Sequence, residues 1–344
     1  LSFISVAPKR DFERFVPDLD DAEIRRLSRH CLRYRDADDR AAWFQFGTTF
    51  ALFLLTAGLL LFGATTGVYV LLALALPAGG LLVRLFGVQH DCGHNSFFTS
   101  KRTNRAVGRL LSVLTLTPFG YWSRSHAVHH TTAGDLGRRG IGDVDTLTVD
   151  EYDGLSRSAQ MRYRIYRHPL LLHVVGPPVY FILLQRSPFG QALPVRDAWR
   201  SIMALNLALA LLYGSLVLVL GPIAVALAVL PTAFVASWIG GWLFFVQHQF
   251  EDTHWEESTE WSQQRAALSG SSYYVMPKLL QWFTGNIGLH HIHHLNPRIP
   301  NYRLQACLDA EPALASLSRL TILESLQCVG LALWDPTKRK LVAF

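Results

Sequence analysis

Residues 41–83 read AAWFQFGTTFALFLLTAGLLLFGATTGVYVLLALALPAGGLLV, 43 residues without one Asp, Glu, Lys or Arg. As a helix this run would reach about 65 Å, roughly two hydrocarbon thicknesses of ~30 Å. Its natural break is Ala64-Thr65-Thr66-Gly67, which predicts two spanning helices near 43–63 and 68–88. A second charge-free stretch runs from Ser201 to Phe250, with Gly221-Pro222 as a turn signal in its middle. It predicts helices near 201–220 and 223–247. Buried core helices carry apolar runs of only about 10–14 residues, so two double-length runs point elsewhere. The fold class expected is an all-α membrane protein, with four transmembrane helices arranged as two hairpins in a single domain over 1–344.

Composition agrees. Half the chain is hydrophobic and only 17% is charged, against about 25% in a soluble domain. Disorder, collagen-like repeats and disulfide scaffolds are excluded. Two shorter stretches, 110–123 and 169–185, are uncharged but short or interrupted by Pro169, Pro177, Pro178 and His173. Both are expected at the membrane interface. Two hairpins return the chain each time to the side on which it began, so both termini and the segment 89–200 share one face. Neither hairpin turn carries Lys or Arg, and the positive-inside rule assigns the shared face to the cytoplasm.

Basic residues are scattered among acidic ones, which argues against nucleic acid as a partner. The densest group is Arg138, Arg139, Arg157, Arg162, Arg164 and Arg167, expected to meet lipid headgroups or an acidic partner. Asp18 to Asp21 cap an amphipathic helix carrying Ile24, Leu27, Cys31 and Leu32, which would lie on the membrane or dock on the cytoplasmic cap. Cys31, Cys92, Cys307 and Cys328 form no C-x-x-C pair and read as free thiols.

Fourteen histidines are present, and nine fall where this topology gathers them. His90 and His94 stand four apart just after the second span. His126, His129 and His130 form H-x-x-H-H, and His290, His293 and His294 repeat it. His248 ends the fourth span. Spacings of three and four aim rings from one helical face at a common point. Neutral imidazole suits iron, zinc, copper and nickel. One zinc needs three or four protein ligands, so nine suit a di-metal site in the helical cytoplasmic cap. His30, His168 and His173 stand apart from the boxes, and His254 and His291 are off their spacing.

The three boxes, their order and their placement after helix pairs resemble the membrane-bound fatty-acid desaturase and hydroxylase superfamily over about 40–310. Asp91 and Gly93 inside the first box are similar to the omega-6 (delta-12) type of acyl-lipid desaturase. Residues 142–148, 247–253 and 295–302 resemble its bacterial members. The resemblance implies that His90, His94, His126, His129, His130, His248, His290, His293 and His294 bind two iron ions. It also implies dioxygen as co-substrate, a membrane lipid acyl chain as substrate, and a multi-pass place in a bacterial inner membrane. No His-Pro-Gly-Gly haem motif is present, so electrons would come from a separate donor of ferredoxin or cytochrome b5 type. Some members carry Asn one turn before the isolated histidine; Phe244 stands there, and Asn286 is a substitute candidate. Asp91, Asp143, Asp145, Glu251 and Asp252 are candidates to orient ligating rings. Trp122, Trp242, Phe245 and Trp282 are candidates to line an acyl tunnel.

Three other readings stay open. A hydroxylase of the same superfamily would use the same histidines. An intramembrane zinc protease is suggested by the likeness of His90-Asp91-Cys92-Gly93-His94 to H-E-x-x-H, but leaves seven histidines unexplained. A metal transporter would place its ligands nearer the bilayer midplane.

Overall fold

The computed structural model describes residues 19–187 and 195–344; Asp18 lies outside them. The Asp20 side chain accepts a hydrogen bond from the Glu23 N–H at 2.8 Å and opens the helix Asp21–Cys31. Its buried Ile24, Leu27 and Cys31 pack with Leu289, Ile292, Leu304 and Cys307. This helix therefore docks on the protein's own cap rather than on lipid. Leu32 leaves that face, because the helix tightens into a 3₁₀ turn there and exposes it.

Among the described residues four helices are long and apolar enough to cross a membrane, and the bent pair Arg157–Tyr166 and Leu170–Arg186 would pass as a fifth if taken as one span. Asp38 caps the first, Asp39–Thr66, which ends on Gly67 in the left-handed conformation (φ 81°). A 3₁₀ segment, Tyr69–Leu74, leads into Ala75–Gly93. The third, Val195–Leu220, is joined to the fourth, Pro222–His248, by the single residue Gly221 (φ 82°), with Pro222 in the first helical position, where its missing N–H costs nothing. Phe62, Val70, Leu76, Leu211, Leu218 and Ile223 stand exposed on these helices, an apolar surface that water would not tolerate and lipid accepts. The second and fourth helices pack on each other. At their crossing a Cβ on Gly79 would lie 2.4 Å from Val235 Cγ1, so only glycine permits the approach.

The two shorter stretches differ in kind. Residues 110–123 are not one segment: the amphipathic helix Lys101–Thr115 ends at Leu116 (φ 56°), and a new helix, Phe119–Thr132, starts after Pro118. The uncharged window simply straddles this break. Residues 170–186 form a continuous helical segment with π-type turns on either side of Pro177 and Pro178, which supply no N–H to the usual ladder. It is bent by 48° from the helix Arg157–Tyr166. It lies on the fourth helix: Trp238 Nε1 donates to the Val174 carbonyl at 2.8 Å, and a Cβ on Gly241 would meet Pro177.

The remaining chain covers one end of these helices. Strand Leu147–Thr148 runs parallel to Leu333–Asp335, which pairs antiparallel with Lys340–Val342. Tyr273–Val275 runs parallel to Arg319–Thr321. The arginine group is not a uniform headgroup surface. Arg138 pairs with Asp135 and Arg139 with Glu151, while Arg167 is only 3% exposed.

Candidate metal centre

The second apolar helix continues straight into the first box, so His90 lies in its last turn and His94 caps it. The helix Phe119–Thr132 presents His126, His129 and His130. His248 is the last residue of the fourth apolar helix. The short helix Pro-free at its start, His290–Leu295, supplies His290, His293 and His294; the Ser272 carbonyl receives the His290 and His291 N–H groups at 3.2 and 3.3 Å.

These segments bring all nine histidines together in two adjoining groups. His90, His94, His126, His130 and His293 form one, and His129, His248, His290 and His294 the other; in each, the potential ligand atoms lie within 4.8 Å of one another. The groups meet where the rings of His130 and His294 stack at 4.1 Å.

The spacing suits ligation. Nε2 of His126 lies 2.9 Å from Nε2 of His90 and 3.1 Å from Nε2 of His130, which lies 3.0 Å from Nε2 of His293. A ring nitrogen either carries a proton or offers one lone pair, so at most two of these three contacts can be N–H···N bonds. Ligands about 2.1 Å from one metal at right angles are themselves about 3.0 Å apart. Nε2 of His94 and Nε2 of His294 are buried without any hydrogen-bond partner. Orphaned imidazole nitrogens and crowded lone pairs fit a cation in each group.

Electrostatics keep the rings in their ligating form. Burial first, and the neighbouring imidazoles second, hold His126, His130, His290, His293 and His294 well below the usual histidine pKa. On three of the rings Nδ1 faces an acceptor. His90 Nδ1 lies 3.0 Å from Asp91 Oδ1, and His129 Nδ1 lies 3.2 Å from Asp143 Oδ1. His248 Nδ1 lies 3.1 Å from the Gly270 carbonyl. Burial works to raise the Asp143 pKa, but the adjacent His129 outweighs it and the carboxyl is held below its ordinary value.

Of the five acidic candidates, Asp91 and Asp143 touch a clustered ring. Asp145 is exposed, Glu251 pairs with Lys340 at 2.9 Å, and Asp252 acts on the same lysine. His291 turns away to the Leu314 carbonyl (3.0 Å), and His254 faces Glu256 (3.6 Å). Asn286 donates to the Asn301 carbonyl at 3.1 Å rather than pointing at the cluster, and the Phe244 ring stands 6.4 Å from that of His129. Among the four tunnel candidates, Trp122 stacks on His126 at 4.7 Å. Trp242 and Phe245 pack on His173, and Trp282 lies under the Arg84 guanidinium.

Two contributors lie in stretches the sequence singles out, 142–148 and 295–302, but their roles are not legible there. The Asn301 N–H donates to Asp91 Oδ2 at 2.7 Å. Gly142, at φ +72°, lets the loop approach His129 so closely that a Cβ would lie 3.0 Å from the His129 Cβ. The Gly-Asp pairing at 142–143 was visible in the sequence, but the positive φ and the contact arise only in three dimensions.

The chain matches the fatty acid desaturase family over residues 64–324, which includes all nine clustered histidines. The chain belongs to the fatty acid desaturase family. A fatty acid desaturase of Bacillus subtilis (strain 168) is 41% identical over 273 residues, covering 79% of this chain and 77% of the relative. The chloroplastic omega-3 fatty acid desaturase of Brassica napus is 30% identical over 260 residues, 71% of this chain and 61% of its own length. A chloroplastic protein of Arabidopsis thaliana, named as a temperature-sensitive sn-2 acyl-lipid omega-3 desaturase (ferredoxin), is 30% identical over 259 residues, 70% of this chain and 56% of its own. The chain thus spans little more than half the length of that plant relative. Its family places it among oxidoreductases, its apolar helices make it a membrane protein, and each of its two histidine groups can hold a metal ion.

Proposed function

We propose that this desaturase binds two iron ions and introduces a double bond into a membrane lipid acyl chain, using dioxygen and electrons from a separate protein. The observation that carries the reading is the convergence of nine buried or half-buried imidazoles, from four distant segments, into two adjoining groups of five and four. His90, His94, His126, His130 and His293 would hold one ion and His129, His248, His290 and His294 the other. A bound iron pair supplies the redox capacity for oxygen-dependent removal of two hydrogens from adjacent, unactivated methylenes.

The protein's own groups do the rest. Asp91 and the Gly270 carbonyl accept the Nδ1–H of His90 and His248, and Asp143 faces Nδ1 of His129 at 3.2 Å, which leaves Nε2 of these rings free to ligate. Burial keeps water from competing with the substrate. His94 and His126 are the least covered of the nine, so the acyl chain reaches the centre from their side, along the face of Trp122. Fixing one carbon pair there selects the bond, because orientation contributes much of the rate in such a step.

First-box residues Asp91 and Gly93 favour the omega-6 (delta-12) position, a methyl-end site like the omega-3 position named for the plant relatives. The Arabidopsis relative's name includes ferredoxin, which favours that donor class over cytochrome b5. Parity favours a single cytoplasmic face. His129 and His248 are in ring contact at 4.9 Å, so an even number of crossings separates them. The third and fourth apolar helices supply two, and residues 170–186 then stay within one leaflet.

Expression in a bacterial host that lacks polyunsaturated lipids, followed by mass spectrometry of its fatty acids, tests the reading. Acyl chains two mass units lighter, dependent on oxygen, are expected. Hydroxylated chains with no gain of unsaturation would assign the hydroxylase reaction instead.

A further inference from the structure

Arg167 is a buried cation without a carboxylate partner. It is 3% exposed, and no acidic side chain lies in ion-pair range of it among the described residues. Its guanidinium instead ties together three separate parts of the chain. Nη1 donates to the Asp145 carbonyl at 3.2 Å and to Thr146 Oγ1 at 3.4 Å. Nη2 donates to Gln249 Oε1 at 2.9 Å and to the Leu331 carbonyl at 2.6 Å. Thr146 Oγ1 also lies 3.3 Å from Gln249 Oε1, which closes the knot.

Two of those parts bear on the same histidine group. Gln249 follows His248 directly. Thr146 and Asp145 end the short loop that begins with Gly142 against His129 and continues through Asp143, the partner of His129 Nδ1. Nothing in the knot reaches His90, His94 or His126. A buried charge held only by neutral acceptors is a poor way to gain stability. A planar fork of donors is a good way to fix several strands at once, and lysine cannot reproduce it.

We propose that Arg167 is a positioning residue for the His129–His248–His290–His294 group alone, acting through Gln249 on His248 and through the 142–146 loop on His129. The inference rests on the two-metal reading above. Loss of an outer partner of a ligand weakens metal binding about 10–100-fold. Arg167 variants should therefore release one metal and keep the other.

The test is the iron content and Mössbauer spectrum of the full chain, purified in detergent after aerobic expression with added iron. The variants are Arg167→Lys, Arg167→Met and Gln249→Leu, with His248→Ala and His90→Ala as spectral references for each group. The expected result is a fall from about two irons per chain to about one, with a spectrum like that of His248→Ala, in a chain that still elutes as the wild type does. Retention of both irons in the three variants, equal loss from both groups, or failure of all three to fold would overturn the proposal. If the wild type itself holds no iron pair, the two-metal reading fails, and the inference with it.

Discussion

Asp91 Oδ2 accepts the backbone N–H of Asn301 at 2.7 Å while its Oδ1 faces His90 Nδ1 at 3.0 Å. The first box is thus braced by the residue that opens the helix Asn301–Asp309, just beyond the third box. The Asn301 side chain has a separate job, accepting from Gln45 Nε2 at 2.9 Å. The two functions can be separated. Asn301→Ala should leave metal content intact, because the N–H remains. Asn301→Pro removes that N–H at the first helical position, where proline is well tolerated, and should weaken iron binding about 10–100-fold. Metal titration of the two variants decides it; equal affinities would show that the N–H has no bearing on His90.

Replacing one proposed ligand from each group should give the same loss of activity. His129→Ala and His293→Ala should each abolish new double bonds while the chain still enters the membrane. Each variant leaves buried imidazoles without their shared cation, so detergent extracts should also unfold at lower temperature. Measured unsaturation above a tenth of wild type in either variant would speak against both groups being required.

Gly142→Ala should act on His129 from the main chain. A non-glycine residue in the left-handed region costs about 1–2 kcal/mol, and its Cβ would press on the His129 Cβ at 3.0 Å. Thermal unfolding should shift down by that energy, and iron should be lost before the fold. A variant with full iron content would show that the loop can yield without moving the ring.

Glu151 provides a check on the cap away from the metals. Its hydrogen bond from Arg139 outweighs the opposing effect of partial burial and draws the carboxyl from 4.5 down to about 2. A lowered folded pKa gives stability that is complete above the unfolded value and disappears as pH falls through the folded one. Because the pair is partly exposed, Glu151→Gln should cost no more than about 1 kcal/mol at neutral pH. The gap from wild type should close between pH 4.5 and 2. Unfolding curves across that range test it, and a gap that does not vary with pH would contradict the assignment.

The contact between His129 and His248 puts both on one side of a bilayer, and the proposed cytoplasmic placement of that side can be tested by labelling. Cysteines placed at Thr66 and Leu220, beside the two interhelical turns, should react with an impermeant reagent from outside intact cells, and tags at both termini should not. Labelling of a terminal tag from outside would require residues 170–186 to cross the bilayer.

Much of the centre was legible because its determinants are local. Spacings of three and four put His126, His129 and His130 on one helical face, and the same spacing turned His291 away. Missing charge marked the four long helices for the same reason: a run of apolar side chains needs no tertiary context to be read. Arg167 shows the limit. Its neighbours Arg162 and Arg164 are exposed, and nothing in a row of arginines tells which one will be swallowed by carbonyls from 145, 249 and 331. The break at Leu116 inside the uncharged window 110–123 was not legible, because lack of charge says nothing about backbone conformation. Asn301 acts through its main chain, which every residue possesses.

The most direct test of the whole account is diffraction from the intact, iron-loaded chain on either side of the iron absorption edge. Two anomalous peaks are predicted, one among His90, His94, His126, His130 and His293 and one among His129, His248, His290 and His294. A single peak, or signal at the zinc edge only, would contradict it.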